Sequence, residues 1–468
     1  MTTTLTPSTG PETLTPPGLR LSADSVRAVS ERRGDPAWVR ELRARGWEAW
    51  EDIPFPTLAT EGWRRSDLRW VDLESVFTPA ADAPRAAAAA RLEDLPPALL
   101  DQLQRDFDGA ALLIEQDGQP VYRSVQDEPA AQGVIFTDLH SALREHPDLV
   151  RRYFMRLVPP RWLPGEPSNA GKFEALNAAL FDGGTFLYVP PDTTVALPMR
   201  SVFWAGSPQL GFFPRSLIVV DRGARLVYVD EYRSAQGKAG GPLTFGSGVV
   251  EVFVGDGGRL DYVSSQEWSG TTGGFLTARC ALGNDAYVNW VLVGLGGQYS
   301  RTTADVVLQG KGTKADLLGL AFGEGTQVFD VHTLQDHDSA FTDTDQLYKT
   351  ALRDRARVAY EGLIDIRKGS YGSNGYQANK NLLLDDTAKA ESLPMLKISD
   401  NDVRCTHSSS VGPVEPEHVY YLMSRGLPRP LAERVLIQGF FEPVIERIKV
   451  PELRDRIRAV VDRKIGDR

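Results

Sequence analysis

The sequence contains only two cysteines, Cys280 and Cys405, among 468 residues. Two cysteines are too few for a disulfide scaffold, a four-cysteine zinc site or a self-contained four-cysteine iron–sulfur site. The chain also lacks a net positive charge. Its 62 acidic residues outnumber its 52 basic ones, so the formal net charge is −10. That balance argues against broad nucleic-acid binding, which needs positive surface to neutralise phosphates.

Long apolar runs and targeting signals are missing as well. No stretch of about 18 apolar residues occurs, so we expect no membrane-spanning helix and no membrane partner. Residues 1–20 are rich in Thr and Pro and have neither a basic start nor an apolar run. We therefore expect a disordered tail rather than a signal peptide, and a cytoplasmic protein with reduced thiols.

Sequence motifs of common enzymes are absent too. The chain has no G-x-x-x-x-G-K-[ST] loop for phosphates, no G-x-G-x-x-G opening a helix, no G-x-S-x-G elbow and no H-E-x-x-H. We therefore expect a non-catalytic protein.

The two flanking regions are mainly helical in pattern. In residues 21–178, Asp35-Pro36 predicts a helix start, apolar residues follow at helical spacing, and Gly46 predicts the stop. Asp117-Gly118 lies between two short apolar runs and predicts a β-hairpin. Residues 413–468 predict short amphipathic helices, one ending before Gly426 and another starting at Pro451.

The middle region, residues 179–412, is rich in glycine and in short apolar runs with period 2. Its turn glycines recur at intervals of roughly 26–34 residues, which suggests stacked units. This pattern predicts a large β body, which could be a solenoid, a sandwich or a propeller. The many short strands favour the solenoid. The clearest predicted strands are 185–189, 216–220, 225–229, 249–254, 260–263, 287–293, 304–308 and 315–320.

The first candidate site lies in a histidine-bearing segment, residues 331–338. Its side chains His332, Asp336 and His337 could bind a divalent metal, since imidazole and carboxylate are suitable donors. The alternative is a polar strand face or turn whose histidines are hydrogen-bonded within the protein.

The second candidate site lies in residues 402–407. If this segment is a strand, Cys405 and His407 share a face and could hold iron or sulfur. Arg404 beside them could lower the thiol pKa. The alternative is a small buried cysteine and a satisfied histidine. Cys280 lies in a strand-like run and is typical of a core cysteine.

Several separated motifs carry a family resemblance. They are Tyr188-Val-Pro-Pro191, Asp345-Gln-Leu-Tyr-Lys349, Gly375-Tyr-Gln-Ala-Asn-Lys-Asn381, Pro394-Met-Leu-Lys-Ile398, Cys405-Thr-His407, Tyr421-Leu-Met-Ser-Arg-Gly426 and Gly439-Phe440. In this order they closely resemble the SufB/SufD family of iron–sulfur cluster assembly scaffolds.

Three features resemble the SufD branch of that family most. Residues 56–68 resemble its Pro-Thr…Glu-x-Trp-Arg-x-Thr-Asp-Leu signature. Ser408 follows the motif histidine, where the SufB branch has Glu. Asn379 stands 28 residues before that histidine, from 379 to 407, where the SufB branch has a cluster-building Cys.

The resemblance implies a mainly β fold with a central right-handed parallel β-helix and helical domains on both sides. It implies that the β-helix pairs with a SufB-like paralogue. It also implies that a SufC-like ATPase docks on the C-terminal helices, where Tyr421, Arg425, Gly426 and Phe440 match the family. ATP would then be handled by another chain, in agreement with the missing phosphate loop.

The resemblance also implies a role for three site residues. It places His407, with Cys405, at a transient Fe–S cluster shared by the two paralogues, with His407 as a metal ligand, and it matches His337 to a further family position. It implies no cofactor held tightly by this chain alone. It suggests FAD in the complex, which no motif here specifies, and leaves open whether isolated chains form homodimers.

Two other functions stay open on the sequence. A SufB-type scaffold would carry the nascent cluster on its own thiols. A β-solenoid enzyme acting on polysaccharides would need paired or calcium-binding acids on one face. Asp336, Asp338, Asp343 and Asp345 supply acids, but their spacing shows no pairing.

Overall fold

The computed structural model describes residues 19–79, 88–100, 103, 109–161, 171–237, 240–241 and 243–466. In these ranges the chain forms a parallel β-solenoid with α-helices before and after it. The predicted disordered tail, residues 1–20, lies outside the described residues except for Leu19 and Arg20.

The helices fall into an N-terminal and a C-terminal group. They are α1 (Ala23–Arg33), α2 (Ala37–Asp52), α3 (Pro97–Leu100), α4 (Asp127–Ala131), α5 (Leu139–Glu145), α6 (Pro147–Tyr153), α7 (Lys172–Leu180), α8 (Pro416–Ser424), α9 (Arg429–Ile445) and α10 (Pro451–Ile465). The end of α8 before Gly426 and the start of α10 at Pro451 confirm the sequence prediction. Among the described helices, none is long and apolar enough to cross a membrane.

The predicted helix stop at Gly46 is wrong. Helix α2 continues through this residue to Asp52. Gly46 faces α7, and a Cβ atom there would lie 2.7 Å from the backbone nitrogen of Ala179. The glycine therefore allows two helices to approach closely, a role that a one-dimensional pattern does not distinguish from a helix end.

Five described strands precede residue 185, and the others cover most of the chain from residue 185 to 413. In chain order the strands are β1 (Leu19–Arg20), β2 (Phe77–Thr78), β3 (Ala111–Gln116), β4 (Gln119–Val125), β5 (Ile135–Asp138), β6 (Thr185–Val189), β7 (Met199–Ala205), β8 (Arg215–Val220), β9 (Arg225–Ser234), β10 (Thr244–Val254), β11 (Arg259–Glu267), β12 (Thr272–Leu282), β13 (Tyr287–Gly294), β14 (Tyr299–Leu308), β15 (Lys314–Gly323), β16 (Val328–His337), β17 (Asp343–Leu352), β18 (Arg357–Ile366), β19 (Asn374–Leu383), β20 (Lys389–Ile398) and β21 (Arg404–Pro413).

Two parallel sheets build the solenoid. From β6 onward, each turn adds one even-numbered strand to one sheet and the next odd-numbered strand to the other, which makes about eight turns in the described chain. Gly273 pairs with Tyr299, 26 residues on, and Arg225 pairs with Arg259, 34 residues on. The predicted repeat and the choice of a solenoid are thus confirmed, whereas its right-handedness stays a prediction.

One corner of the solenoid carries a repeated backbone conformation. Six residues there have φ between +53° and +69°, namely Gly223, Gly257, Asp285, Gly312, Phe341 and Gly372. Each donates its backbone N–H to a carbonyl oxygen in the following turn, so we call this series the corner ladder. Glycine adopts such φ values at little cost, which explains most of the series.

The two ends of the solenoid differ. At the N-terminal end, β4 and β5 add antiparallel strands to the sheets, and the β3–β4 hairpin turns at Asp117-Gly118 as predicted. At the C-terminal end, β20 and β21 each pair with one neighbour in the described chain. We call this last turn, β20 with β21, the open end.

Helices α9 and α10 cover the outer face of the sheet built from odd-numbered strands. The apolar contact joins strand residues Val229, Val263, Val291, Leu318 and Leu320 to helix residues Ile437, Phe441, Val444, Leu453, Ile457 and Val461. Arg456 of α10 donates to Glu231 at 2.9 Å and to Glu267 at 2.6 Å. Burial alone would raise the pKa of Glu231, but Arg200 and Arg456 outweigh it and the pKa lies well below its usual range.

A buried carboxyl interrupts the apolar interior. Asp230 accepts hydrogen bonds from the hydroxyl groups of Tyr262 at 2.6 Å and Tyr232 at 3.0 Å. Burial raises the pKa of Asp230 to about 7. The apolar run predicted only residues 225–229, whereas β9 continues to Ser234. The pattern missed the second half of the strand because some of its interior residues, such as Asp230, are polar.

Asp230 makes stability depend on pH. The unfolded carboxyl ionises near pH 3.9 and the folded one near 7, so its stabilising contribution is complete below about pH 4 and is lost as pH rises to 7. Relative to Asp230→Asn, the wild type should lose roughly 2–3 kcal/mol between pH 5 and pH 8. Thermal unfolding of both proteins at the two pH values measures this, and a pH-independent difference would contradict it.

Candidate functional site at the open end

Cys405 and His407 lie on β21, the last strand of the solenoid. The register places Cys405 next to Gly375 and His407 next to Gln377 of β19. Because side chains alternate along a strand, both residues follow the inward-facing rows of the solenoid. They are reached by solvent because no further described turn covers them.

The inward-facing row that ends at His407 changes character along the solenoid. It runs through Met199, Tyr228, Tyr262, Trp290, Leu317, Gln346, Gln377 and His407. The row is apolar or aromatic as far as Leu317 and polar from Gln346 onward. The polar residues could have been noticed in the sequence only after the register of each strand was known.

A hydrogen-bonded chain crosses the interior beneath the open end. Gln335 donates to Gln346 at 2.6 Å, Gln346 donates to the Tyr360 hydroxyl at 2.5 Å, and that hydroxyl donates to Gln377 at 3.2 Å. Gln377 also donates to the backbone carbonyl of Met395 in β20 at 3.2 Å. These contacts join the two sheets across the interior, so they brace the turn on which His407 lies.

His407 is exposed and makes no hydrogen bond or ion pair within the described residues. Its imidazole is therefore available to a ligand from outside. Cys405 is half-buried, and burial raises its pKa to about 11. The expectation that Arg404 lowers this pKa is wrong, because Arg404 lies on the opposite face of the strand and the thiol loses solvent.

His337 is a core histidine in this structure. Its ring nitrogens lie 2.7 Å from the Thr342 hydroxyl and 3.0 Å from the Thr344 hydroxyl. Burial lowers its pKa to about 4, so the ring is neutral at physiological pH. It is fully buried and therefore cannot meet an external ligand without an opening of the turn.

The segment 331–338 forms a strand face rather than a metal centre. His332 lies 2.9 Å from Asp330, and Asp336 accepts from Arg367 at 2.5 Å. Alternation places His337 on the other face. Among the described residues, no group of three His, Cys, Asp or Glu side chains could hold a metal ion.

The acids of the polysaccharide hypothesis do not form one face either. Asp336 and Asp338 contact Arg367, near the end of β16, whereas Asp343 and Asp345 belong to β17 in the other sheet. The acids therefore lack the clustering that such an enzyme would need.

The residues matched to ATPase docking divide between two environments. Tyr421 is 56% exposed, Arg425 lies over its ring, and Gly426 ends α8 with φ +95°. Phe440 instead packs towards the solenoid, where Lys349 donates to its backbone carbonyl at 2.5 Å.

Other apolar side chains on the C-terminal helices are also exposed, and the sequence patterns did not identify them as a candidate surface. Tyr420 is 73% exposed, and Met423, Leu431 and Val435 are exposed as well. With Tyr421 we group these exposed residues of α8 and the first half of α9 under the name helical patch. Their helical spacing looks like that of core residues, and only the packing shows that these side chains are uncovered.

These observations define a parallel β-solenoid protein with a buried body, a terminal turn whose outer edge pairs with no described strand, and exposed apolar side chains on its C-terminal helices. The chain from residue 203 to 440 matches the family model for the SUF system FeS cluster assembly, SufBD core domain. The protein belongs to this SufBD family of iron–sulfur cluster assembly proteins.

Curated relatives agree with that assignment. The chain is 30% identical over 459 residues to the iron–sulfur cluster assembly protein SufD of Bacillus subtilis, with 96% of this chain and 99% of the relative covered. It is 26% identical to SufBD family proteins of Staphylococcus saprophyticus and Staphylococcus aureus, with 92% of this chain and 90% of each relative covered.

Proposed function

We propose that this protein is a non-catalytic scaffold subunit that pairs with a SufB-like paralogue at the open end and binds a SufC-like ATPase through the helical patch. The observation that carries the proposal is the terminal turn itself, which presents an edge that no described strand covers, together with His407 and Cys405. Iron and sulfur are the cargo of the assembly, and FAD in the complex stays a prediction from the resemblance.

The free edge of β21 is suited to intermolecular strand pairing. Arg404 donates its N–H to the carbonyl of Ser373, directly before β19, at 3.0 Å, so the backbone groups of even-numbered residues of β21 bond to the β19 side. The backbone groups of Cys405, His407 and Ser409 therefore face away from β19. An unprotected edge of this length is a template for another strand.

The edge of β20 is less suited to the same contact. The N–H of Lys389 donates to Ala356, directly before β18, at 3.1 Å, and the N–H of Ser399, directly after β20, donates to Ile366 at 2.8 Å. The backbone groups of the even-numbered residues of β20 therefore face the free side. Pro394 is one of these residues and has no N–H to donate. We therefore assign the pairing strand to β21 rather than β20.

Apolar side chains at the open end support a buried contact. Leu396 and Ile398 of β20 and Val411 of β21 follow inward-facing rows but are exposed. A partner solenoid stacked on this turn would continue the core and remove these side chains from water.

The residues at the edge favour a shared cluster site over a cluster held by this chain alone. His407 offers a borderline-soft ligand that can bind iron. Cys280 is fully buried, and burial raises its pKa. Asn379, which stands where the SufB branch has Cys, is buried and lies 2.6 Å from the Asn381 amide nitrogen. This distribution disfavours the SufB-type alternative.

A single backbone change tests the pairing strand. Ser409→Pro removes an N–H that faces the free edge and leaves the bonds to β19 in place, so co-purification with the SufB-like paralogue should fall by about tenfold or more while the fold survives. Ser409→Val, which keeps the N–H, is the control. Equal recovery of the paralogue with both variants would place the contact elsewhere.

A further inference from the structure

Phe341 occupies a position in the corner ladder that glycine fills in the turns before and after it. Its φ is +59°, between Gly312 at +69° and Gly372 at +68°. A bulky L-residue strains the backbone in this left-handed conformation, whereas glycine does not. Such strain points to a use for the side chain that outweighs its cost.

The fold itself gains little from this side chain. Phe341 is 57% exposed, and its ring lies edge-on to Tyr371, which is 44% exposed, with 5.2 Å between the ring centroids. The ring also lies over Gly372, where a Cβ atom would come within 2.5 Å of it. The rest of both rings faces solvent, so core burial does not account for the strained residue.

The aromatic pair lies beside the open end. The N–H of Phe341 donates to the carbonyl of Tyr371 at 3.0 Å, and the N–H of Gly372 donates to that of Asp402 at 2.7 Å. Asp402 lies two residues before the first residue of β21. Phe341 is thus two turns from the last corner, roughly 10 Å along the solenoid axis at the usual strand spacing.

We propose that Phe341 and Tyr371 form a hot spot of the interface made by the open end, and that the SufB-like paralogue covers them. This proposal rests on the proposed pairing. The argument is continuity, because a chain that adds a strand beyond β21 continues the corner series that carries the two rings, two turns beyond Tyr371 and three beyond Phe341. Exposed aromatic side chains beside an unpaired edge supply the apolar anchors that interface hot spots use.

The corner ladder provides a matched control. Asp285 has φ +53° and donates its N–H to Lys311 at 2.8 Å, as Phe341 does to Tyr371. It lies two turns further from the open end. Asp285→Gly therefore removes the backbone strain of a left-handed residue at an equivalent corner and does not change the proposed interface.

The experiment measures affinity and stability on the same full-length proteins. Phe341→Gly and Phe341→Asn, both compatible with positive φ, should weaken binding of the purified SufB-like paralogue at least about tenfold. Their melting temperatures should fall by no more than about 2 °C. Asp285→Gly should bind like the wild type. Tyr371 does not have a positive φ, so Tyr371→Ser removes the second ring without changing a left-handed position. This variant should also weaken binding.

Each outcome decides the proposal. Wild-type affinity in the Phe341 and Tyr371 variants would overturn the hot spot and leave the pairing of β21 intact. A wild-type chain that does not bind the paralogue would overturn both. If all three variants lost affinity together with thermal stability, the pair would be a structural element of this chain, and the hot spot would be rejected.

Discussion

Replacing His407 with Ala is expected to reduce iron–sulfur cluster assembly by about tenfold or more while the chain still pairs with its paralogue. The imidazole is exposed and has no partner among the described residues, so its removal leaves no unsatisfied buried group. The activity of an iron–sulfur enzyme, measured in cells that depend on the variant, reports assembly. Co-purification of the complex from the same cells reports pairing.

The controls for this variant lie on the same strand. Ser409→Ala changes an exposed residue two positions along the same face and should preserve assembly. Cys405→Ser should have a smaller effect than His407→Ala, because the thiol is half-buried whereas the His407 imidazole is exposed to an external ligand. Normal assembly by the His407 variant would remove this residue from the cluster site.

The double variant Tyr421→Ser, Leu431→Ser should weaken binding of the SufC-like ATPase by about tenfold or more at unchanged stability. Both side chains are exposed in the helical patch, so their replacement removes apolar contact area from a partner and leaves the core intact. Binding to the purified ATPase and the melting temperature are the two measurements. Retained binding would move the docking surface off α8 and α9.

Two further variants separate docking from folding. Phe440→Ala should lower the melting temperature, because Phe440 packs towards the solenoid. Removal of residues 415–468 should do far more damage, since it uncovers Val229, Val263, Val291 and their neighbours. Each large apolar side chain is worth roughly 1.5–3 kcal/mol when buried, against a total stability of about 5–15 kcal/mol. Loss of ATPase binding by the truncated chain could therefore result from unfolding rather than from removal of the docking surface.

Local patterns predicted much of the architecture. The run 185–189 predicted β6 with its observed bounds, and Pro451 predicted the first residue of α10. These predictions succeed because strand period, turn glycines and helix-starting prolines act over a few residues. The ordered motifs around His407 then predicted the family that the comparisons confirm.

Predictions failed where a residue's role depends on a distant neighbour. Gly46 does not end a helix because α7 packs against it, and Arg404 does not activate Cys405 because the strand turns it to the other face. His337 and Asp336 are close in sequence but face opposite sides of β16. Pairing partners and burial, rather than spacing, decided each of these cases.

The sequence by itself determined a repeating β body between helical regions, because each repeat carries its own strand period and turn. It also determined membership of an iron–sulfur assembly family through motifs read in order. Only the tertiary structure decided which residues are left without a next turn. His407 and Cys405 follow rows that are buried elsewhere in the solenoid, and they meet solvent because no further turn of the described chain stacks on them. Exposure at that edge depends on whether another strand pairs with it, which no local pattern encodes.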